Sequence, residues 1–295
     1  MLKKIKAKKE IGFFLFFIFG LINLSWGIEF PSISKSKIRL SIPAGKSNYG
    51  EIIVENPTDK YVSLRLYLED WYYLPTADGS KKFVPINTTP FSCASWINFS
   101  PAEFTLPPFG RQRVSYVVKV PSYAQGGYYA ALFFETAVGK PADTEGGLGV
   151  GISLALRVAT LFYIEVEGTI KKAVSLENLL LKSKPKDKIL EISLDFKNTG
   201  NVDITAGGSY HIMDKEGVIY VRGEFNDVYT FPADSAKFTA TWKEPIPKGK
   251  YDLVLTIDIG KAQEELGLGR GPVITKEAEI EIGENGEVLR VGELR

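Results

Sequence analysis

The sequence predicts an all-β protein made of two immunoglobulin-like β-sandwich domains in series, preceded by an N-terminal signal peptide. Apolar and polar residues alternate with a period of two in most of the chain, for example in Lys37–Ile42 and in residues 190–197. Glycine, proline, asparagine or aspartate bounds most of these runs, as is typical of short strands joined by turns. The 295 residues include 44% hydrophobic side chains, which is enough to build two cores.

Residues 1–27 have the three parts of a secretory signal. Five lysines lie in the first ten residues, an apolar run follows at 11–24, and the small residues Ser25 and Gly27 precede a predicted cleavage after Gly27. The alternative is an uncleaved membrane anchor, but the apolar run is shorter than the ~20 residues that span a bilayer. We therefore expect a periplasmic or extracellular protein that is free of the membrane after cleavage.

The predicted domains are residues 28–168 and 169–283, followed by a frayed tail at 284–295. The candidate strands of the first domain are Lys37–Ile42 and residues 52–54, 62–68, 114–120, 128–134 and 152–166. Those of the second domain are residues 190–197, 209–213, 218–222, 236–242, 251–257 and 273–282. Only residues 174–181 and 260–266 are considered as helices. Glycine-rich residues 146–151 and 267–271 are predicted to be turns, because a strand-like run follows each one.

The composition argues against an enzyme, a metal site and a nucleic-acid partner. Cys93 is the only cysteine and His211 the only histidine, so neither an internal disulfide nor a zinc site with several such ligands can form. We predict that Cys93 is a small buried hydrophobe and that His211 is an ordinary strand residue. Glu69 and Asp70 are adjacent, so on a strand they point to opposite faces and cannot pair as acid and base. The 36 basic and 35 acidic side chains are balanced, unlike those of a phosphate-binding surface. No cofactor is expected.

The segment from Phe104 to Glu167 carries the motifs that resemble a known family. They are Phe104-Thr105-Leu106-Pro107-Pro108, Tyr128-Tyr129-Ala130-Ala131-Leu132-Phe133-Phe134-Glu135, and Gly151-Ile152-Ser153-Leu154-Ala155-Leu156-Arg157 leading to Leu161-Phe162-Tyr163. Ile53-Val54-Glu55-Asn56 and Leu68-Glu69-Asp70-Trp71 agree with them. This pattern resembles the N-terminal domain of the periplasmic pilus-assembly chaperones, and the two-domain plan of that family fits as well.

The resemblance implies that the chain donates an edge strand to a partner protein subunit, either pilin-like or another envelope protein. In such an interaction, main-chain hydrogen bonds give affinity and alternate side chains fill the partner's groove. Ile152, Leu154 and Leu156 are the candidates for this donation, because their spacing of two places them on one face of a strand. The alternative is that they belong to an ordinary buried strand of the sandwich.

The resemblance further implies that two basic residues in the cleft between the domains anchor the partner's C-terminal carboxylate. Arg39, with Lys37 as an alternative, matches the first of these positions. At the second position the family has a lysine directly before Leu-Phe-Tyr, whereas this chain has Thr160. Arg157 is the nearest cation on that strand, so Arg39 and Arg157 are the predicted carboxylate anchors.

The function expected from the sequence is that of a non-enzymatic, pilus-chaperone-like binding factor of the periplasm. The alternative is a structural or surface component of the envelope with no chaperone activity. The sequence leaves the identity of the partner and the oligomeric state open.

Overall fold

A computed structural model describes residues 30–138, 154–261 and 271–295. The predicted signal peptide and the glycine-rich residues 146–151 and 267–270 lie outside the described residues. The described residues form nineteen strands and two short 3₁₀ turns, Ala94–Trp96 and Pro185–Asp187. In these residues, we find no helix with the length and apolar character needed to span a membrane. The prediction of an all-β protein is confirmed.

The first sandwich consists of two packed sheets. Its strands are β1 (Ser32–Ile33), β2 (Lys37–Ile42), β3 (Ser47–Glu55), β4 (Val62–Tyr73), β5 (Lys81–Val84), β6 (Ile97–Ser100), β7 (Glu103–Leu106), β8 (Arg111–Lys119), β9 (Gly127–Val138) and β10 (Leu154–Val166). One sheet has the order β1-β3-β8-β6, and the other has the order β2-β10-β9-β4-β5, with β7 also paired to β4. The inward side chains of β9, Ala130, Leu132 and Phe134, are buried in the core between these sheets.

The second sandwich follows the same plan. Its strands are β11 (Val174–Lys184), β12 (Ile189–Asn198), β13 (Ile204–Met213), β14 (Ile219–Glu224), β15 (Val228–Thr230), β16 (Ser235–Trp242), β17 (Gly249–Asp258), β18 (Val273–Ile282) and β19 (Val288–Val291). One sheet is β11-β12-β16 and the other is β14-β13-β17-β18-β19, with β15 paired to β13. The alternation predicted for residues 190–197 is confirmed, because Leu190, Ile192, Leu194 and Phe196 are all buried.

Residues 174–181, which we considered as a helix, lie in strand β11 instead. The pairing of β11 with β12 shifts between Glu177 and Leu180, where Asn178 has a φ of +53°. Such a bulge adds residues to one strand and moves the following side chains to the other face. The apolar residues on either side of the bulge therefore do not keep one alternation of period two, and this irregular spacing suggested a helix.

The prediction of a frayed tail at residues 284–295 is wrong in part. Val288–Val291 forms strand β19 at the edge of the second sandwich, paired with β18. Further on, the backbones of Arg295 and Glu277 exchange two hydrogen bonds of 2.9 Å each. The strand is only four residues long and is surrounded by charged residues, so its sequence pattern is too short to be recognised.

Candidate functional site

Among the described strands, none pairs with one edge of β10 for half of its length. On one side, β9 pairs with β10 in antiparallel fashion from Leu154 to Glu165. On the other side, β2 pairs with it in parallel, but only from Leu161 to Val166. Among the strands that the structure describes, none pairs with residues 154–160 on this second side. These residues therefore present an open strand edge, which is a template for pairing with another chain.

The hydrogen bonds to β2 show which backbone groups face the open edge. The N–H of Leu161 donates to the carbonyl oxygen of Ser36 (2.9 Å), and the N–H of Glu167 donates to that of Ile42 (3.1 Å). Successive residues of a strand direct their backbone groups to opposite edges, and the register of β10 with β9 is continuous. The odd-numbered residues Ala155, Arg157 and Ala159 therefore direct their N–H and C=O groups to the open edge.

The open edge ends where the N-terminal segment crosses from one sheet to the other. The preceding strand β1 pairs with β3 in the opposite sheet. Ser34 fixes the crossing through two hydrogen bonds of 2.9 Å with the backbone of Ile53. The buried Thr160 hydroxyl donates to the carbonyl oxygen of Lys35 (2.6 Å). Because β1 leaves toward the other sheet, it does not cover residues 154–160 of β10.

Two of the three predicted donor residues, Leu154 and Leu156, lie in the part of β10 that has this edge. Ile152 is outside the described residues, and Leu154 occupies the first position of β10, opposite Val138. Leu156 is half-buried, and Val158 on the same face packs against the core of the first sandwich. From Leu161 onward both edges of β10 are paired, with β9 and with β2. Before Leu161, the described strands pair only with the edge that faces β9. The donor role of these three residues stays a prediction.

Arg39 holds the two sandwiches together through a buried ion cluster. Its guanidinium group donates to both carboxylate oxygens of Asp203 (2.9 and 2.7 Å) and to Glu165 (2.7 Å). The side chains of Arg39 and Asp203 are only 7% and 1% exposed. Burial alone would lower the pKa of Arg39, but the charges and hydrogen bonds of Asp203 and Glu165 outweigh it and raise the pKa. Arg39 is therefore fully charged and bound within its own chain.

Arg157 has partners of its own at a different place on the sheet. It donates to Glu69 (3.0 Å) and to the hydroxyl of Tyr67 (3.1 Å), and its guanidinium group lies 4.2 Å from the ring centroid of Phe133. Arg39 lies opposite Tyr163, six residues further along β10, or about 20 Å at strand spacing. The structure does not bring the two arginines together, and their role as carboxylate anchors stays a prediction.

An aromatic cluster fills the space between the outer face of the β9-β10 sheet and the second sandwich. Tyr129 of β9 stacks on Phe231, which follows β15, with ring centroids 4.1 Å apart. Its hydroxyl accepts a hydrogen bond from the backbone N–H of Asp203 (2.6 Å) and donates to the Asp203 carboxylate (3.2 Å). Trp71 contacts both of these rings, and Tyr163 contacts the rings of Tyr129 and Trp71. Burial is the main cause that raises the pKa of Tyr129 well above its ordinary value.

Sequence reasoning missed this cluster, although strand β9 carried a signal for it. Residues 128–134 are apolar on both faces, whereas most other strands alternate. A continuous apolar run is typical of a strand that is buried on both faces. Here one face lies in the core of the first sandwich and the other lies against the second sandwich.

The turn between β4 and β5 forms a further contact between the sandwiches. Ala77, at the tip of this turn, is buried in the core cluster of the second sandwich. Its carbonyl oxygen accepts a hydrogen bond from the N–H of Tyr229 (2.9 Å). Gly79 has a φ of +87°, and a Cβ atom there would come within 3.1 Å of the Tyr229 ring. Glycine is favoured at this position by both the backbone conformation and the space.

Two other polar residues singled out in the sequence, Asp70 and His211, form hydrogen bonds within the fold. Asp70 is buried and accepts hydrogen bonds from Thr88, Thr89 and Ser92, which fix the loop after β5. His211 lies in β13 and accepts a hydrogen bond from Arg222 Nε (2.9 Å). In residues 30–138, 154–261 and 271–295, no three histidine, cysteine, aspartate or glutamate side chains are grouped as a metal site would require.

Cys93 is fully buried, as predicted, and we expect it to be unreactive in the native protein. Burial, with a smaller contribution from the charge of Asp70, raises the pKa of the thiol well above its ordinary value. The reactive thiolate is therefore scarce at neutral pH, and the reagent has no access. A soluble thiol reagent should modify Cys93 only in denaturant. A Tyr123→Cys variant, at a position that is 82% exposed, provides the reactive control. Rapid modification of the native wild-type protein would contradict the prediction.

Comparison with known proteins finds similarity among solved structures. No family model and no curated protein matches the sequence. A chain of the class 5 fimbriae chaperone CfaA is 14% identical, and a chain of a chaperone–tip adhesin complex of CFA/I fimbriae biogenesis is 12% identical, both with a TM-score of 0.47. A chain of the CsuC–CsuE chaperone–tip adhesion subunit pre-assembly complex of Acinetobacter baumannii is 10% identical, with a TM-score of 0.41. Each match covers 84% of this chain and 98% of the other. The fold of this chain is defined by the sheets described above.

Proposed function

We propose that this chain is a non-enzymatic protein-binding factor of the periplasm that acts like a pilus-assembly chaperone. It donates the open edge of β10 to a partner subunit, which is pilin-like or another envelope protein. The observation that carries the proposal is the unpaired edge at residues 154–160, which is continuous with a fully paired strand. The periplasmic location follows from the predicted signal peptide.

The open edge suits donation because it combines a fixed backbone with apolar side chains. Pairing with β9 holds residues 154–160 extended before the partner arrives, so little conformational entropy is lost on binding. Added strands gain affinity from main-chain hydrogen bonds and specificity from pockets for alternate side chains. Leu156, together with the predicted donors Ile152 and Leu154, supplies those side chains. An edge of this kind that no partner covers favours aggregation, so its presence argues for a function.

The second candidate function is a structural component of the envelope that chaperones nothing. The observation that favours it is the extensive contact between the two sandwiches, which includes the Arg39–Asp203 ion pair and the Tyr129–Phe231 stack. Such contacts suit a rigid building block as well as a chaperone. The two functions differ in whether the β10 edge binds a subunit.

A charge introduced on the apolar face of the edge tests the proposal. We expect Leu156→Glu to lower the affinity for a subunit co-purified from the native envelope by about 100-fold or more, because a carboxylate would enter an apolar groove. The matched control is Ala155→Glu, which adds the same charge to an exposed side chain on the opposite face.

The measurements are the affinity of the purified subunit for each variant, and the melting temperature as a check on folding. The wild type and Ala155→Glu should retain the subunit, whereas folded Leu156→Glu should lose it. If folded Leu156→Glu binds the subunit as tightly as the wild type does, donation by this edge is wrong and the structural candidate is favoured.

A further inference from the structure

We propose that the partner strand is held by the β10 edge alone, and that binding does not require a free C-terminal carboxylate on the partner. This inference rests on the proposed function and names the kind of segment that the edge accepts. It follows from the state of the two arginines that would otherwise receive a carboxylate. Both are engaged by acidic side chains of this chain.

The ion cluster around Arg39 disfavours another carboxylate. Asp203 and Glu165 bring two negative charges to the single positive charge of Arg39. Asp203 takes up the guanidinium group in a bidentate arrangement, and the group also lies 4.4 Å from the ring centroid of Tyr163. An incoming carboxylate would have to displace a buried acidic side chain. Leaving that side chain unpaired in the interior would cost several kcal/mol.

The surroundings of Arg157 are also rich in acidic groups. Glu69 is bound to its guanidinium group at 3.0 Å, and Glu135 lies directly opposite it on β9. The hydroxyl of Tyr67 bridges this group, because it accepts a hydrogen bond from Arg157 and donates one to Glu135 (2.6 Å). Arg65 also lies opposite Glu135, so the cations and carboxylates of this group are already matched within the chain, and a further carboxylate gains little here.

Lys37 lies at the point where the open edge meets β2, opposite Leu161, and its ammonium group is 5.6 Å from the centroid of the Tyr163 ring. Thr160 lies next to this point on β10, and its buried hydroxyl is used by the Lys35 carbonyl oxygen. The side chains of Lys35 and Lys37 are exposed, and ion pairs of exposed lysines contribute only about 0–1 kcal/mol. The end of a partner strand therefore gains little from a negative charge at this place.

The segment that fits this site is an extended stretch whose end need not be a chain terminus. A strand added along residues 154–160 is collinear with β2, so it has to turn away at Thr160. An internal segment of a partner can make this turn as well as a terminal one can. The partner class is thus a protein that exposes an unpaired internal strand position or an apolar groove.

Two synthetic peptides test the inference directly. Both have the same alternating valine and threonine sequence and an acetylated N-terminus, and one ends in a free acid while the other ends in an amide. We expect the full-length mature protein to bind them with affinities that differ by less than about fivefold. A charge-assisted anchor worth about 1.5–3 kcal/mol would instead favour the acid by about ten- to a hundredfold.

The variants separate failure of this inference from failure of the proposed function. Leu156→Glu should weaken both peptides equally, because the edge holds both. If the acid is favoured more than fivefold and both peptides still depend on Leu156, the inference is wrong and the proposed function stands. Loss of that preference in Arg39→Met, Arg157→Met or Lys37→Gln would then identify the anchor. If neither peptide binds the wild type, both the proposed function and this inference are overturned.

Discussion

Replacing Ala155 by proline will abolish partner binding while the fold and its melting temperature stay nearly unchanged. The N–H of Ala155 faces the open edge, since the odd-numbered residues of β10 direct their backbone groups toward β2. Proline removes this donor and places its ring where a partner strand would lie. Because no β9 hydrogen bond uses this N–H, proline is tolerated here as it is on edge strands. We expect the affinity for the subunit to fall by about 100-fold or more, or about 2.7 kcal/mol.

Two matched variants make this result specific to the backbone. Ala155→Ser keeps the N–H on the same exposed position, so it should bind like the wild type. Leu156→Pro, one residue further along, removes an N–H that faces β9, so it should lower the melting temperature. Binding by calorimetry and thermal unfolding by circular dichroism measure the two effects. Retention of wild-type affinity by a folded Ala155→Pro variant would exclude strand addition at this edge.

Asp203→Ala will produce the largest loss of stability, about 3–5 kcal/mol in the free energy of unfolding. The substitution leaves Arg39 buried with Glu165 as its remaining carboxylate partner among the described residues, and it removes the acceptor that the Tyr129 hydroxyl uses. The lost ion pair and the lost hydrogen bond both join the two sandwiches, so their removal weakens the contact between the domains. Urea unfolding measures the change.

The control for Asp203→Ala is a surface ion pair. Glu51 pairs with Arg113 at 3.0 Å, with both side chains well exposed, so Glu51→Ala should cost only about 0–1 kcal/mol. In Asp203→Ala, we also expect unfolding to divide into two transitions, because the sandwiches lose their charged link. Similar, small losses in both variants would show that the Arg39 cluster does not hold the domains together.

Local patterns in the sequence were enough to predict the strands but not the contacts between the domains. The run at Lys37–Ile42 alternates without interruption, and the structure has β2 with the same bounds. In contrast, Arg39 and Asp203 are 164 residues apart, and nothing near either residue indicates its partner. A buried ion pair depends on how two finished sheets meet, which a window of neighbouring residues does not contain.

The candidate site was predictable to a similar degree. The alternation around Leu154 and Leu156 indicates a strand, and the resemblance to chaperones indicates its use. Whether the strand is open depends on where β1 crosses to the other sheet, and that is decided by the pairing of Ser32 with Glu55. Arg39 shows the opposite case, since its sequence position suggested a ligand for a partner and its environment makes it a link between the domains.

The insertion of Ala77 into the core of the second sandwich makes the folding of the first domain depend on the second. The first sandwich is synthesised before the second. Until the second sandwich forms, the Trp71 and Tyr129 rings stay exposed to solvent, and Ala77 at the tip of the β4–β5 turn has no core to pack into. We therefore expect neither half to be transferable to another protein without loss of stability, and we expect a substitution at Phe231 to need a compensating one at Tyr129 of β9.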